Sequence, residues 1–356
     1  MKKFLVLCSV VISVLVVLLN GCKSTKSEPV EILGAGATFP APLYNKMFDE
    51  YYNLTKNKVN YQAIGSGGGI KQYKEKTVDF GGTDAYLSDK EIADILAVGD
   101  SVLHVPTCIG AVVVAFNLPG ITKIKLSPEA VSGIFLGTIT KWDDALIVAD
   151  NKDVTLPAMD IKLVTRSDSS GTTFVFTDYL AQVSKEWSEK FGADKSINWP
   201  AKGVLSGKGN PGVAGLITQM PGSLGYIELS YATQNGISYA ALKNKSGNFI
   251  EPTLGSASKA AAGSIPADTR ISLVDSDVSD AYSIASFTWL IFNKELNYGG
   301  RTEHQAKEIV KMLQWVITDG QQYNEALDYA KIPEATVVTA KEILKQVTYN
   351  GKTLSK

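Results

Sequence analysis

IKLVTRSDSSGTTFVFTDYLAQV, residues 161–183, is the stretch of sequence that decides the fold. Residues 161–165 are predicted to form a strand and residues 170–183 a helix, so residues 166–170 form a strand-to-helix turn. The same alternation of strand and helix signals continues along most of the chain. Alternation of this kind predicts an α/β protein.

Capping and turn residues mark the other elements. Ser88 and Glu91 have the spacing of a capping box, Pro128 suits the first turn of a helix, and Gly137 suits its end. A stretch rich in small residues at 256–264 is predicted to be a surface loop. The patterns predict helices at 40–54, 70–77, 210–220, 302–318 and 339–347, and strands at 58–64, 109–116, 224–229 and 288–292.

The N-terminus has the three parts of a secretory signal. Residues 1–3 include two lysines and form a basic start, residues 4–19 are apolar, and Leu19-Asn20-Gly21-Cys22 follows. An apolar helix of that length spans roughly 24 Å, short for a bilayer core of about 30 Å, so a retained membrane helix is the weaker interpretation. Cysteine after Leu-x-Gly resembles a lipobox. We therefore expect a signal peptide at 1–21 and a polar, lipidated tether at 22–30 that begins with Cys22.

Length and charge limit the classes of function. About 330 residues remain after the signal, too many for one typical core, which predicts two domains. The formal net charge is −1 and falls to about −3 without Lys2 and Lys3, so no nucleic-acid partner is expected. Cys108 is the one cysteine after the tether, so no disulfide forms there, and its apolar neighbours favour a buried structural residue.

Four short segments, well separated in the chain, each offer groups that suit an anion. They carry hydroxyls, glycines with accessible backbone N–H groups, or a guanidinium, and none carries a histidine or a lysine cluster. Such groups hold a small oxyanion without reacting with it. The segments are Gly34-Ala35-Gly36-Ala37-Thr38-Phe39-Pro40, Gly65-Ser66-Gly67-Gly68-Gly69, Gly81-Gly82-Thr83-Asp84 and Arg166-Ser167-Asp168-Ser169-Ser170-Gly171-Thr172-Thr173.

The first two segments are weak signals when taken alone. Thr38 and Phe39 stand at the entry of a predicted helix, whose free N–H groups and dipole attract an anion, but a plain N-cap has the same pattern. Residues 65–69 are mostly glycine, so their backbone can approach a ligand closely. Most turns of this composition are nevertheless only turns.

The turn at 166–172 is the stronger signal. Arg166 can bind two oxygens of a tetrahedral anion, and the Ser170-Gly171-Thr172 run presents hydroxyls and N–H groups at a helix start. Asp168, two residues further on, is placed to hold the guanidinium by a charge-assisted bond. The alternative is a surface Arg–Asp pair beside a capped helix.

Asp84 is unusual among these groups, because a carboxylate repels an anion unless a proton lies between them. Phosphate still carries a proton near neutral pH, whereas sulfate does not. Asp84 among anion donors therefore predicts selection of phosphate over sulfate. An Asx turn after Gly81-Gly82 is the alternative.

In combination, these segments closely resemble the periplasmic phosphate-binding proteins of high-affinity phosphate ABC transporters. The resemblance covers nearly all of the chain after the tether, in order. Ser169 departs from the glycine that the family usually has at that position, and Thr83 from a common serine. Further matching runs are Ile134-Phe135-Leu136-Gly137, Lys141-Trp142-Asp143-Asp144 and Pro221-Gly222-Ser223-Leu224-Gly225-Tyr226-Ile227-Glu228.

The resemblance implies a type II periplasmic-binding-protein fold, in which two α/β lobes joined by two crossing segments enclose the ligand. It implies one lobe from residues 31–112 and 286–356 and a second lobe from residues 113–285. It also implies that Asp168 orients the arginine. Matched positions imply that phosphate is bound by Thr38, Phe39, Ser66, Asp84, Arg166, Ser170, Gly171 and Thr172.

The resemblance further implies a monomeric extracytoplasmic protein, lipid-anchored through Cys22 in the periplasm or at the outer face of the cell membrane. Such a protein delivers inorganic phosphate to a permease complex of two membrane subunits and an ATPase, with no cofactor, metal or catalysed reaction. The alternatives are binding of another tetrahedral oxyanion and a phosphate-processing enzyme. The sequence shows no assembled metal cluster, activated nucleophile or catalytic histidine for an enzyme.

Overall fold

The computed structural model describes residues 28–354, so the predicted signal peptide and Cys22 lie outside the described residues. No helix within 28–354 combines the length and the apolar character needed to span a membrane. The strands are β1 (Glu31–Gly36), β2 (Lys58–Ala63), β3 (Phe80–Thr83), β4 (Leu103–Phe116), β5 (Lys125–Leu126), β6 (Lys162–Arg166), β7 (Leu205–Gly207), β8 (Ser223–Glu228), β9 (Ser238–Tyr239), β10 (Ala241–Lys243), β11 (Phe249–Ile250), β12 (Ala285–Phe292), β13 (Thr348–Tyr349) and β14 (Lys352–Thr353).

Helices alternate with these strands, as the sequence predicts. Two short 3₁₀ helices, Asp319–Tyr323 and Glu325–Leu327, precede the last α-helix. The α-helices are α1 (Ala41–Thr55), α2 (Ser66–Lys74), α3 (Asp89–Ala97), α4 (Pro128–Leu136), α5 (Ala145–Asp150), α6 (Gly171–Val183), α7 (Lys185–Lys190), α8 (Gly209–Gln219), α9 (Leu229–Gln234), α10 (Leu254–Lys259), α11 (Glu303–Val316) and α12 (Glu334–Leu344).

A nine-stranded sheet organises the described residues into two halves. β1 pairs in parallel with β2 and β3, and β6 pairs in parallel with β7 and β8. The long strand β4 belongs to both halves, because its residues 103–111 pair with β12 and its residues 112–116 pair with β8. The strand order is β2-β1-β3-β12-β4-β8-β6-β7, with β9 beside β4.

Helix α1 packs by one apolar face. Leu43, Tyr44, Met47, Phe48 and Tyr51 recur at helical spacing and are all buried. Burial of each large apolar side chain contributes about 1.5–3 kcal/mol relative to exposure. This face holds α1 next to β2, directly after the first predicted anion segment.

Helix α11 packs against this N-terminal region although it lies near the other end of the chain. The ring centroids of Tyr51 and Trp315 are 5.3 Å apart. Asn57 Nδ2 donates to Glu308 Oε2 at 2.7 Å, and both side chains are buried. The chain therefore leaves the half that contains β1–β3 and later returns to it.

Several predicted boundaries differ from those of the structure, and two of the differences have local reasons. Helix α2 begins at Ser66 rather than at residue 70, because its glycines are helical despite their low propensity. Close packing requires one of them, since a Cβ on Gly69 would lie 2.5 Å from the Ala35 carbonyl oxygen. The predicted loop at 256–264 instead contains part of α10, which a capping box between Thr253 and Ser256 begins.

The strands direct the anion segments to one crevice. β1 ends two residues before Thr38, β3 ends just before Asp84, and β6 ends at Arg166. Ligands of open α/β sheets bind outside the carboxyl ends of the strands. Segments that are far apart in the sequence therefore meet at this edge.

Candidate oxyanion-binding site

Arg166 is the buried cation of the crevice, with its side chain 1% exposed. Its Nε donates to Asp168 Oδ1 at 2.8 Å and its Nη2 donates to Asp168 Oδ2 at 2.5 Å. Its Nη1 donates to Thr172 Oγ1 at 3.2 Å. Because a guanidinium has five N–H donors, these bonds leave two donors for a ligand beside Thr172.

Asp168 is the fixed partner of this guanidinium. Its Oδ1 also accepts the backbone N–H of Gly209 at 2.9 Å. Burial raises the pKa of Asp168, but the hydrogen bonds and charge of Arg166, together with the Gly209 N–H, outweigh burial and lower that pKa from its ordinary value. Asp168 is therefore an ionised scaffold that orients Arg166.

Asp84 is a second carboxylate with different surroundings, and it is 2% exposed. Its Oδ1 accepts the hydroxyl hydrogen of Thr288, whereas its Oδ2 is buried without a partner among residues 28–354. Burial raises the pKa of Asp84 to about 7, although the Thr288 bond and the charge of Arg166 act in the opposite direction. An unpaired buried oxygen is costly, so Oδ2 is a point at which a donor on a ligand stabilises the protein.

Ser66 and Gly171 bring the two halves together around Asp84. The Ser66 hydroxyl oxygen accepts the backbone N–H of Asp84 at 3.3 Å. A Cβ on Gly171 would lie 2.3 Å from Ser66 Oγ and 2.5 Å from Asp84 Oδ2, so glycine is required there. The N–H of Gly67 donates to the Ser169 carbonyl at 3.0 Å, which fixes the two loops against each other.

The first turn of α6 supplies further N–H donors. The Ser170 hydroxyl oxygen caps the helix by accepting the N–H of Thr173 at 3.0 Å. Gly171 and Thr172 are the first two helical residues, and N–H groups at those positions have no carbonyl partner within a helix. With the positive end of the helix dipole, these groups favour an anion.

Thr38 and Phe39 are held by two tyrosines from distant segments. The hydroxyl of Tyr231 donates to the Thr38 carbonyl at 2.6 Å, and that of Tyr329 donates to the Phe39 carbonyl at 2.6 Å. The Thr38 carbonyl and the Phe39 N–H belong to one trans peptide group. Fixing the carbonyl therefore also fixes the direction of the Phe39 N–H.

The predicted site residues between 28 and 354 thus lie in one network of contacts. Besides Tyr231 and Tyr329, this network includes Asn210 and Thr288, which the sequence did not predict either. Asn210 Nδ2 donates to the hydroxyl oxygens of Thr38 and Thr172, and Thr288 binds Asp84. The sequence predicts a helix that begins at residue 210, and in the structure Asn210 is the second residue of α8. No local pattern distinguishes either residue from an ordinary helix or strand residue.

A crevice lined with oxyanion donors between two α/β halves defines a ligand-binding protein of the bilobed type. A family model described as the PBP superfamily domain matches residues 23–319. The chain is 39% identical over 313 residues to the phosphate-binding protein PstS of Xylella fastidiosa, a match that covers 86% of this chain and 83% of that protein. The chain belongs to the PBP superfamily and to the family of the PstS phosphate-binding proteins.

Another relative and a solved structure agree with this assignment. The phosphate-binding protein PstS of Pasteurella multocida is 38% identical over 330 residues, which cover 91% of this chain and 93% of that protein. A solved high-affinity periplasmic phosphate-binding protein bound with phosphate has a TM-score of 0.73 at 22% identity, with coverage of 88% of this chain and 93% of that chain. This likeness confirms the predicted two-lobed α/β fold.

Proposed function

We propose that the chain binds inorganic phosphate outside the cytoplasm and delivers it to an ABC-type phosphate permease. The observation that carries this proposal is the buried Oδ2 of Asp84, which has no partner among the described residues and lies next to Ser66 and Gly171. Family membership supports the same function, because the relatives are named phosphate-binding proteins.

The chemistry of the crevice fits a protonated phosphate. Arg166 and the first turn of α6 supply donors for the ionised oxygens of the ligand. Asp84 accepts the proton that phosphate still carries near neutral pH, and sulfate has no such proton to donate. In this proposal phosphate contacts Thr38, Phe39, Ser66, Asp84, Arg166, Ser170, Gly171 and Thr172, while Asp168 orients the arginine.

We assign lobe 1 to residues 31–112 and 286–356 and lobe 2 to residues 113–285. The change of partner of β4, from β12 to β8 between Ala111 and Val112, supports this division. Binding closes the lobes on the anion by a hinge motion. The protein acts as a monomer that Cys22 anchors to the membrane by lipid, beside a permease of two membrane subunits and an ATPase.

Calorimetric titration of the chain from residue 23 onward tests the proposal. Phosphate is added first, and sulfate is added to a second sample under the same conditions. We expect tight binding of phosphate and no detectable binding of sulfate. Equal binding of the two anions contradicts the role of Asp84, and absence of phosphate binding contradicts the function.

A further inference from the structure

Asn210 connects both halves of the crevice, and its side-chain orientation is determined by its contacts. Its Oδ1 accepts the backbone N–H of Glu228 at 3.0 Å. A backbone N–H can only donate, so the amide atom in that contact is the oxygen. The Nδ2 group therefore faces the hydroxyls of Thr38 and Thr172, at 3.0 Å and 3.1 Å.

These bonds fill the acceptor capacity of both hydroxyls. Thr38 Oγ1 accepts the backbone N–H of Asn210 at 3.0 Å in addition to Nδ2. Thr172 Oγ1 accepts Arg166 Nη1 at 3.2 Å in addition to Nδ2. A hydroxyl accepts two hydrogen bonds and donates one, so each group has only its hydrogen left to give.

We propose that Asn210 is a positioning residue that commits the hydroxyls of Thr38 and Thr172 to donate to the bound anion. The proposal rests on the proposed function, because it concerns the same site. Thr38 is 4% exposed and Thr172 is 0% exposed. Neither hydroxyl donates to an acceptor in the part of the chain that the structure describes, so the ligand is the acceptor that both of them require.

The arrangement also determines where a proton on the ligand lies. A ligand atom that carries hydrogen is disfavoured beside Thr38 and Thr172, because two donors then face each other. Asp84 Oδ2 is an unpaired acceptor in the same crevice. The two threonines thus direct the protonated oxygen of phosphate toward Asp84. Asn210 maintains the direction in which both hydroxyls donate, through hydrogen bonds to the hydroxyls and without contacting the ligand.

Calorimetric titration of the full chain in non-ionic detergent with inorganic phosphate tests the role of Asn210. We expect Asn210→Ala to weaken phosphate binding about 10- to 100-fold, since two donors to a charged ligand lose their fixed direction. Asn210→Asp has the same shape but replaces Nδ2 by an acceptor oxygen, to which the hydroxyls then donate. We expect a larger loss for Asn210→Asp than for Asn210→Ala.

Asn151 is the matched control. It is also buried, its Nδ2 donates to the carbonyls of Lys125 and Ile147, and its Oδ1 accepts the N–H of Lys125 at 2.7 Å. Asn151→Ala should lower the thermal stability but keep the phosphate affinity within about twofold. Unchanged phosphate affinity in both Asn210 variants, beside normal binding by the parent chain, overturns the inference.

A double-mutant cycle separates positioning from a purely structural role. Thr38→Val is measured in the parent chain and in the Asn210→Ala background. We expect Thr38→Val to cost less affinity in the second background, because the Thr38 hydroxyl is no longer committed there. Additive losses overturn the inference, whereas failure of the parent chain to bind phosphate overturns the proposed function itself.

Discussion

The two carboxylates of the crevice differ in how completely they are paired. Asp168 accepts donors from Arg166 and Gly209, and its pKa is lowered, because those donors outweigh the effect of burial. Asp84 has one donor, Thr288, and burial raises its pKa to about 7. A fully paired carboxylate serves as a scaffold, whereas a half-paired one remains able to recognise a proton on the ligand.

The largest expected effect is on the stability of the ligand-free protein. The raised pKa of Asp84 means that its contribution to stability is complete below its unfolded pKa of about 4 and is lost as the pH rises through about 7. Relative to the parent chain, Asp84→Asn should therefore gain about 4 kcal/mol between pH 4 and pH 8. Denaturant unfolding at several pH values measures this difference.

Asp168→Asn provides the opposite case. The pKa of Asp168 is lowered, so its contribution is present above the unfolded pKa and is lost as the pH falls through the folded pKa. Asp168→Asn should thus be less stable than the parent chain at neutral pH and approach it in acid. If the stability of both variants relative to the parent chain changes in the same direction as the pH rises, the comparison is contradicted.

The next effect is on phosphate affinity. Arg166→Ala should cost about 2–5 kcal/mol of binding free energy, because it removes donors and leaves the Asp168 carboxylate without its cation beside the anion. Titration calorimetry measures the loss. The control is Arg301→Ala, which breaks a partly buried ion pair with Asp79 away from the crevice. Equal affinities of the Arg166 variant and the control remove Arg166 from the site.

The smallest effect concerns selectivity. Asp84→Asn replaces an obligate acceptor by an amide that can also donate. The ratio of sulfate affinity to phosphate affinity should therefore rise by at least about tenfold, or 1.4 kcal/mol. Competition titration measures the ratio. Asp178→Asn is the control, because Asp178 is a partly buried carboxylate that Ser272 binds at 2.6 Å. An unchanged ratio in Asp84→Asn makes Asp84 a turn residue.

Local features of the fold could be predicted because local chemistry determines them. The capping box of Ser88 and Glu91 begins α3, and Gly137 ends α4 with a φ of 78°. The strand-to-helix turn at Arg166 joins β6 to α6, one residue later than expected at each end. Short-range hydrogen bonds and backbone preferences leave a clear pattern in the sequence.

The hydrogen-bond network of the site could not be predicted, because its contacts join residues that are distant in the sequence. Asn210 lies 172 positions from Thr38, and Thr288 lies 204 positions from Asp84. Neither residue type has a preference that marks such a contact. The family resemblance named the groups proposed to touch the ligand and Asp168 as the residue that orients Arg166, but it did not name Asn210 or Thr288.

The unbroken course of β4 has a mechanical consequence. Residues 103–111 and 112–116 form one continuous strand, so separation of the halves must bend a hydrogen-bonded ladder rather than a loose loop. A ladder resists bending more strongly as the angle grows. We therefore expect a stiff joint between the two halves, with a narrow range of angles between their open and closed arrangements.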